Sequence, residues 1–202
     1  MATDFSYTLL REWFKAEEER DRPELKGLAP HQKLLLLSDG SMTLDLELLS
    51  GSRVEIELKH KGIKKLSGED ASYLCEPTGT EAMEREVWLT VNKKRLVYAY
   101  SLIPLNCIKY DLKQELEKYS GEPLGRVLSS RKIFFEKEKL EVSIVRCETA
   151  SRDLKIPQDT AMIARRYILF NKEDEGSWVI KASVTEVFSP EIIASPIIKG
   201  GL

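Results

Sequence analysis

Glu84-Arg85-Glu86-Val87-Trp88-Leu89-Thr90-Val91, then Asn92-Lys93-Lys94, then Arg95-Leu96-Val97-Tyr98-Ala99-Tyr100-Ser101-Leu102-Ile103, is the stretch whose reading decides the fold. Both runs are rich in β-branched and aromatic residues. Val87, Leu89 and Val91 alternate on one face, the break between the runs is short and polar, and Pro104 closes the second run. This is the pattern of two antiparallel strands joined by a tight turn. Working outward, residues 53–58 set Val54, Ile56 and Leu58 against Arg53, Glu55 and Glu57, the period-two signature of a half-buried strand. Residues 132–146 hold two strand-like pieces. A last pair, 164–171 and 178–188, is linked by a polar loop at 172–177 that contains Gly176.

The helical signals fall between these runs. Pro30 opens a short apolar helix at 31–37, which ends at Ser38-Asp39-Gly40. Residues 42–49 repeat apolar groups three and four apart, with Ser41 or Asp39 as the cap. Further helices are expected at 70–74, at 111–119 with Leu112, Leu116 and Tyr119 on one side, and at 123–128. Phe5, Leu9, Leu10, Trp13 and Phe14 stand at helical spacing and predict an amphipathic N-terminal helix. Residues 59–80 otherwise read as loop. Hairpin-linked strands with helices in no βαβ rhythm predict an α+β chain with a single antiparallel sheet and helices packed on one face.

Composition bounds the function. With 202 residues, 31 basic against 33 acidic side chains and a net charge of −2, one core in one domain is expected, and nothing favours nucleic acid or an anionic membrane as a partner. Residues 1–27 read as a helical extension of that domain and 191–202 as a tail. No run approaches the roughly 20 apolar residues that cross a bilayer, and the N-terminus lacks a signal peptide's apolar core. Cys75, Cys107 and Cys147 form no Cys-x-x-Cys pair and read as buried thiols of a reducing compartment. A cytoplasmic protein is expected.

Familiar catalytic patterns are missing. Only His31 and His60 are present, without metal-ligand spacing, and both read as surface groups. No phosphate loop, dinucleotide fingerprint or nucleophile elbow occurs. No metal or cofactor is expected. The unusual feature is charge within apolar strands: Arg85 is in phase with Val87 and Leu89, and Glu186 with Ala182 and Val184. A buried charge requires a partner, so the two either bridge each other or share a ligand; alternatively Glu86 and Trp88 face inward, or Arg85 lies beyond the strand edge in solvent. Periodicity leaves these readings open. The basic run 59–65 reads as a solvated loop.

Five segments, in order, resemble chorismate lyase over about residues 28–190. They are Leu34-Leu35-Leu36-Leu37-Ser38-Asp39-Gly40-Ser41-Met42-Thr43, Arg85-Glu86-Val87-Trp88-Leu89, Ser101-Leu102-Ile103-Pro104, Pro123-Leu124-Gly125-Arg126 and Thr185-Glu186-Val187-Phe188-Ser189-Pro190. The resemblance is to the broader branch of that superfamily carrying Leu-Ser-Asp-Gly-Ser-x-Thr. It implies helical flaps over an internal pocket on the sheet, a small-molecule substrate, chorismate, and cleavage to 4-hydroxybenzoate and pyruvate without a cofactor. By the same resemblance, Arg85 matches the arginine that grips the ring carboxylate and Met42 the position whose backbone N–H meets it. Glu186 matches the carboxylate that meets the 4-hydroxyl, as acid–base group or as anchor, and Leu124 the backbone at that end. Monomer and homodimer are both compatible. A second class stays open: a non-catalytic hydroxybenzoate-binding or sensing domain, related to the effector domain of GntR-type regulators. Those modules follow a DNA-binding domain for which the first 25 residues are too short.

Overall fold

The computed structural model describes residues 5–15, 22–118, 121–173 and 177–194. In chain order the elements are β1 (Thr8–Leu9), β2 (Phe14–Lys15), α1 (Pro23–Lys26), α2 (Pro30–Leu37), α3 (Met42–Ser50), β3 (Val54–Lys65), α4 (Gly68–Leu74), β4 (Glu81–Val91), β5 (Lys94–Pro104), a 3₁₀ turn (Leu105–Cys107), α5 (Tyr110–Lys118), α6 (Leu124–Ser130), β6 (Glu136–Arg146), α7 (Glu148–Leu154), β7 (Met162–Lys172) and β8 (Trp178–Phe188). Tyr119, Gly176 and the tail beyond residue 194 lie outside the described residues.

All strand pairs are antiparallel, in the order β1-β6-β7-β8-β5-β4-β3, with β2 also on β6. The expected single antiparallel sheet is therefore present. Its centre is the β4–β5 hairpin and the β7–β8 hairpin joined along β5 and β8. The β4–β5 turn takes two residues, Asn92 and Lys93, both at positive φ (50° and 66°), as a turn matching the strand twist requires.

On one face lie α2, α3, α5 and α6. Leu35, Leu36, Met42 and Leu46 pack with Val87, Leu89, Val97 and Phe188, while Leu112, Leu116, Val127 and Leu128 pack with Ile103, Tyr167 and Leu169. Burying each such side chain is worth about 1.5–3 kcal/mol. The opposite face is covered as well: α7 brings Ala150 onto Trp88 and Tyr98, and α4 brings Ala71 and Leu74 onto Tyr100 and Leu102. Both faces of β4 are thus buried, so Arg85 and Glu86 point to opposite interiors. Glu86 accepts from Tyr98 Oη at 2.5 Å.

Four expectations are corrected. Residues 5–15 form no helix; β1 and β2 pair with β6, and Phe14 sits in the core while Leu9 faces outward. Residues 59–65 are not loop but the second half of β3, because β4 is long enough to pair with them after a register shift between Leu58 and His60. His60 is no surface group, since its Nε2 lies 2.9 Å from Glu84 Oε1. Cys107 and Cys147 are buried free thiols, but Cys75 is exposed where it ends α4 at φ 54°.

Candidate active site

Two rows of side chains cross the face of the sheet that carries α2, α3, α5 and α6. Arg85 stands opposite Ser101, Ser101 opposite Val184, and Val184 opposite Tyr167; in the next row Val87, Ala99, Glu186 and Arg165 follow one another. Two strand spacings and a two-residue offset separate the Cα atoms of Arg85 and Glu186 by about 12 Å. Both side chains line one cavity, whose walls include Val87, Leu89, Val184 and Leu169. Residues 40–43 at the start of α3 and 123–125 at the start of α6 form its roof, and Lys137 of β6 closes the Glu186 side. All four residues singled out from the sequence, Met42, Arg85, Leu124 and Glu186, line this cavity.

The roof is built from caps. Ser41 accepts the Leu44 N–H at 3.4 Å, capping α3 and leaving the Met42 N–H in the unpaired first turn. Pro123 starts α6 with its fixed φ. The two starts meet at Gly125, where a Cβ would come within 3.3 Å of Ser41 Oγ, so a side chain there would crowd the capping hydroxyl. Arg126 ties α6 to its neighbours through Glu47 at 2.6 Å and Glu122 at 3.0 Å.

Arg85 is 9% exposed and donates to the Glu122 carbonyl at 2.7 Å, which joins its guanidinium to the chain leading into α6. Burial lowers its pKa to about 10, partly offset by Glu122, so it stays a cation at neutral pH.

Glu186 is 3% exposed, and its bridge is made with a residue that the sequence reading passed over: Arg165, fully buried, whose Nε donates to Oε2 at 2.5 Å. Tyr167 Oη donates to Oε1 at 3.3 Å. Arg165 Nη1 reaches the Leu35 carbonyl at 2.7 Å and the Ser38 carbonyl at 3.1 Å, so one guanidinium fixes both the carboxylate and the end of α2. Burial works against the Arg165 charge, but Glu186 and Tyr167 more than offset it, and its pKa lies above the ordinary value. Burial, with Glu186 adding to it, lifts the Tyr167 phenol well above its usual range, which keeps it a neutral donor. Arg165 and Tyr167 were legible by the rule that found Glu186, since they are in phase with Leu169 on an apolar strand.

Lys137 was also missed, because Glu136-Lys137-Glu138-Lys139 shows no apolar period. Its Nζ donates to the Gly40 carbonyl at 2.5 Å and lies 4.3 Å from the centre of the Tyr167 ring. Burial, reinforced by Arg165, lowers its pKa to about 8.

The cavity therefore offers a cationic fork at one end, a carboxylate and a phenol at the other, and apolar walls between. Such a space can hold a planar acid that carries a hydroxyl opposite its carboxylate.

The family model described as Chorismate pyruvate-lyase Rv2949c-like matches residues 36–195. A relative named Probable chorismate pyruvate-lyase 1, from Pseudomonas entomophila, is 35% identical over 104 residues, which is 52% of this chain and 55% of the relative's length. An uncharacterized protein, ycf21 of Cyanophora paradoxa, is 25% identical over 83% of this chain and 78% of its own. Among solved structures, PhnF from Mycobacterium smegmatis superposes with a TM-score of 0.55 at 14% identity, covering 76% of this chain and 65% of PhnF. Its effector domain does so with a TM-score of 0.56 at 14% identity, covering 77% of this chain and 91% of that domain. At this identity the likeness to PhnF is one of fold.

Proposed function

From the premise that the chain belongs to the Rv2949c-like chorismate pyruvate-lyase family, we propose that it eliminates pyruvate from chorismate and leaves 4-hydroxybenzoate. The observation that carries this reading is the facing of Arg85 and Glu186 across one cavity on the sheet. In chorismate the ring carboxylate and the hydroxyl lie at opposite ends of a six-membered ring, and the cavity's two poles suit them.

In this reading Arg85 holds the ring carboxylate through two donors, helped by the Met42 N–H at the open start of α3. Glu186, oriented by Arg165 and Tyr167, accepts the hydroxyl on ring carbon 4, with the Leu124 backbone at the same end. A carboxylate offers about four acceptor positions, so these two bonds leave capacity for the ligand. The ether bond at ring carbon 3 then breaks, the hydrogen on carbon 4 departs as a proton, and its electron pair completes the aromatic ring. Enolpyruvate takes up a proton at its methylene carbon and becomes pyruvate, so the balance needs no oxidant, reductant or water. The protein contributes orientation and charge stabilisation in a site largely closed to solvent.

Incubating the purified protein with chorismate while following pyruvate and the aromatic product tests the reading. Equimolar pyruvate and 4-hydroxybenzoate are expected. Binding of 4-hydroxybenzoate with no pyruvate would instead favour the sensing role open to a domain of this fold. Glu186→Gln separates base from anchor: if Glu186 moves the proton, kcat/KM falls by about a hundredfold or more, whereas activity near wild type would sink the base role.

A further inference from the structure

Chorismate carries two carboxylates, and Arg85 accounts for one of them. The cavity lining supplies one further cationic side chain among the described residues, Lys137. We propose that Lys137 binds the carboxylate of the enolpyruvyl side chain, and of the pyruvate that it becomes, as the second anion site of this cavity. The inference rests on the chorismate reading above.

Position carries it. Lys137 stands opposite Leu169 on β7, two residues along from Tyr167. Its Nζ lies over the Tyr167 ring, whose hydroxyl meets Glu186, so the ammonium belongs to the Glu186 end of the cavity and not to the Arg85 end. Ring carbons 3 and 4 are neighbours. A substrate whose carbon-4 hydroxyl meets Glu186 therefore presents its ether oxygen and enolpyruvyl group beside that pole, where Lys137 waits. An ammonium has three donors, and the Gly40 carbonyl takes one at 2.5 Å. That bond fixes the side chain from the roof and leaves donors for a carboxylate. Arg165, Tyr167, Glu186, Asp45 and Asp39 are the other charged or titratable groups that face Lys137, and the first of them repels it. A second substrate carboxylate would relieve that repulsion.

Lys137→Gln keeps a donor for the Gly40 carbonyl and removes the charge, and Lys137→Arg keeps the charge. Calorimetric titration of the folded proteins with 4-hydroxybenzoate, which lacks the second carboxylate, set beside the chorismate affinity, read as KM where pyruvate forms and by calorimetry where it does not, isolates the role. Lys137→Gln is expected to weaken chorismate about tenfold or more and to leave 4-hydroxybenzoate within about twofold, with Lys137→Arg restoring most of the loss. Equal weakening of both ligands would mean that Lys137 only latches the Gly40 turn, and no weakening of either would mean no role; each result overturns the proposal. Pyruvate release by the wild type is read separately: without it the elimination reading falls, while the difference between the two ligands still decides Lys137. Failure of chorismate to bind the wild type would end both.

Discussion

A guanidinium with no exposure to water is costly unless its donors are used, and Arg165 uses Nε on Glu186 and Nη1 on the carbonyls that end α2. Arg165→Met leaves the Glu186 carboxylate buried without its cation, so a loss of about 3–5 kcal/mol in denaturant unfolding is expected, and Arg165→Met with Glu186→Met recovers part of it. An unchanged midpoint in the single variant would contradict the buried bridge. Arg85→Lys keeps charge but loses the planar fork; affinity for 4-hydroxybenzoate is expected to fall about tenfold or more in an equilibrium titration. Lys137 carries a pH dependence. Its folded pKa, about 8, lies below the ordinary lysine value of 10.5, so the unfolded chain binds more protons between the two, and stability from this group rises with pH across that window. The cost of the partly desolvated ammonium is fully present below pH 8. Lys137→Gln should therefore be at least as stable as wild type at pH 7, and chorismate binding should weaken above pH 8 in wild type but not in Lys137→Arg. Titrations at pH 7 and pH 9 decide it, with Arg165, Tyr167, Glu186, Asp45 and Asp39 as the other facing groups.

The elements that form the site were legible where a local pattern and the tertiary demand agree. The β4–β5 and β7–β8 hairpins, the Pro30 start of α2 and the Ser41 cap of α3 all follow from neighbours in sequence. The missed features depend on distant partners. Residues 59–65 become strand because β4 offers a long edge, and Leu9 and Phe14, spaced as on a helix, are drawn out along β6, while the Phe5 ring stacks on Tyr100. In α7 the buried residues are the small Thr149, Ala150 and Ser151, which make no apolar stripe, and the Glu136-Lys137-Glu138-Lys139 run concealed a pocket lysine behind polar alternation. Within the roof, α6 is held by Arg126 through Glu47 and Glu122. These pairs are partly exposed, so Arg126→Ala is expected to cost less than about 1 kcal/mol of stability. It should nevertheless loosen the Pro123-Leu124-Gly125 start over the cavity and raise the 4-hydroxybenzoate dissociation rate several-fold in stopped-flow measurements. An unchanged rate would mean that α6 does not limit release.

Taken as a whole molecule, the chain builds a deeply buried sheet and then places Arg85, Arg165 and Glu186, with the half-buried Lys137 beside them, on the face that carries α2, α3, α5 and α6, where hydrophobic side chains of similar volume would be more stable. A ligand that pairs with Arg85 and Glu186 would restore part of that cost, and so folding stability should report ligand identity. At a concentration 100 times its Kd, 4-hydroxybenzoate should stabilise the protein by about 2.7 kcal/mol. For a domain of this size that is a rise of about 5–11 °C in Tm. Benzoate, which offers Arg85 its carboxylate but leaves Glu186 without a hydroxyl, should bind about 1.5–3 kcal/mol more weakly and stabilise correspondingly less at equal concentration. Replacing Glu186 by Gln should narrow the gap between the two ligands, and replacing Arg85 by Lys should weaken both alike. If benzoate and 4-hydroxybenzoate raise Tm equally in wild type, Glu186 does not meet the hydroxyl and the two-pole orientation of the ring is wrong, whatever the rate of pyruvate release.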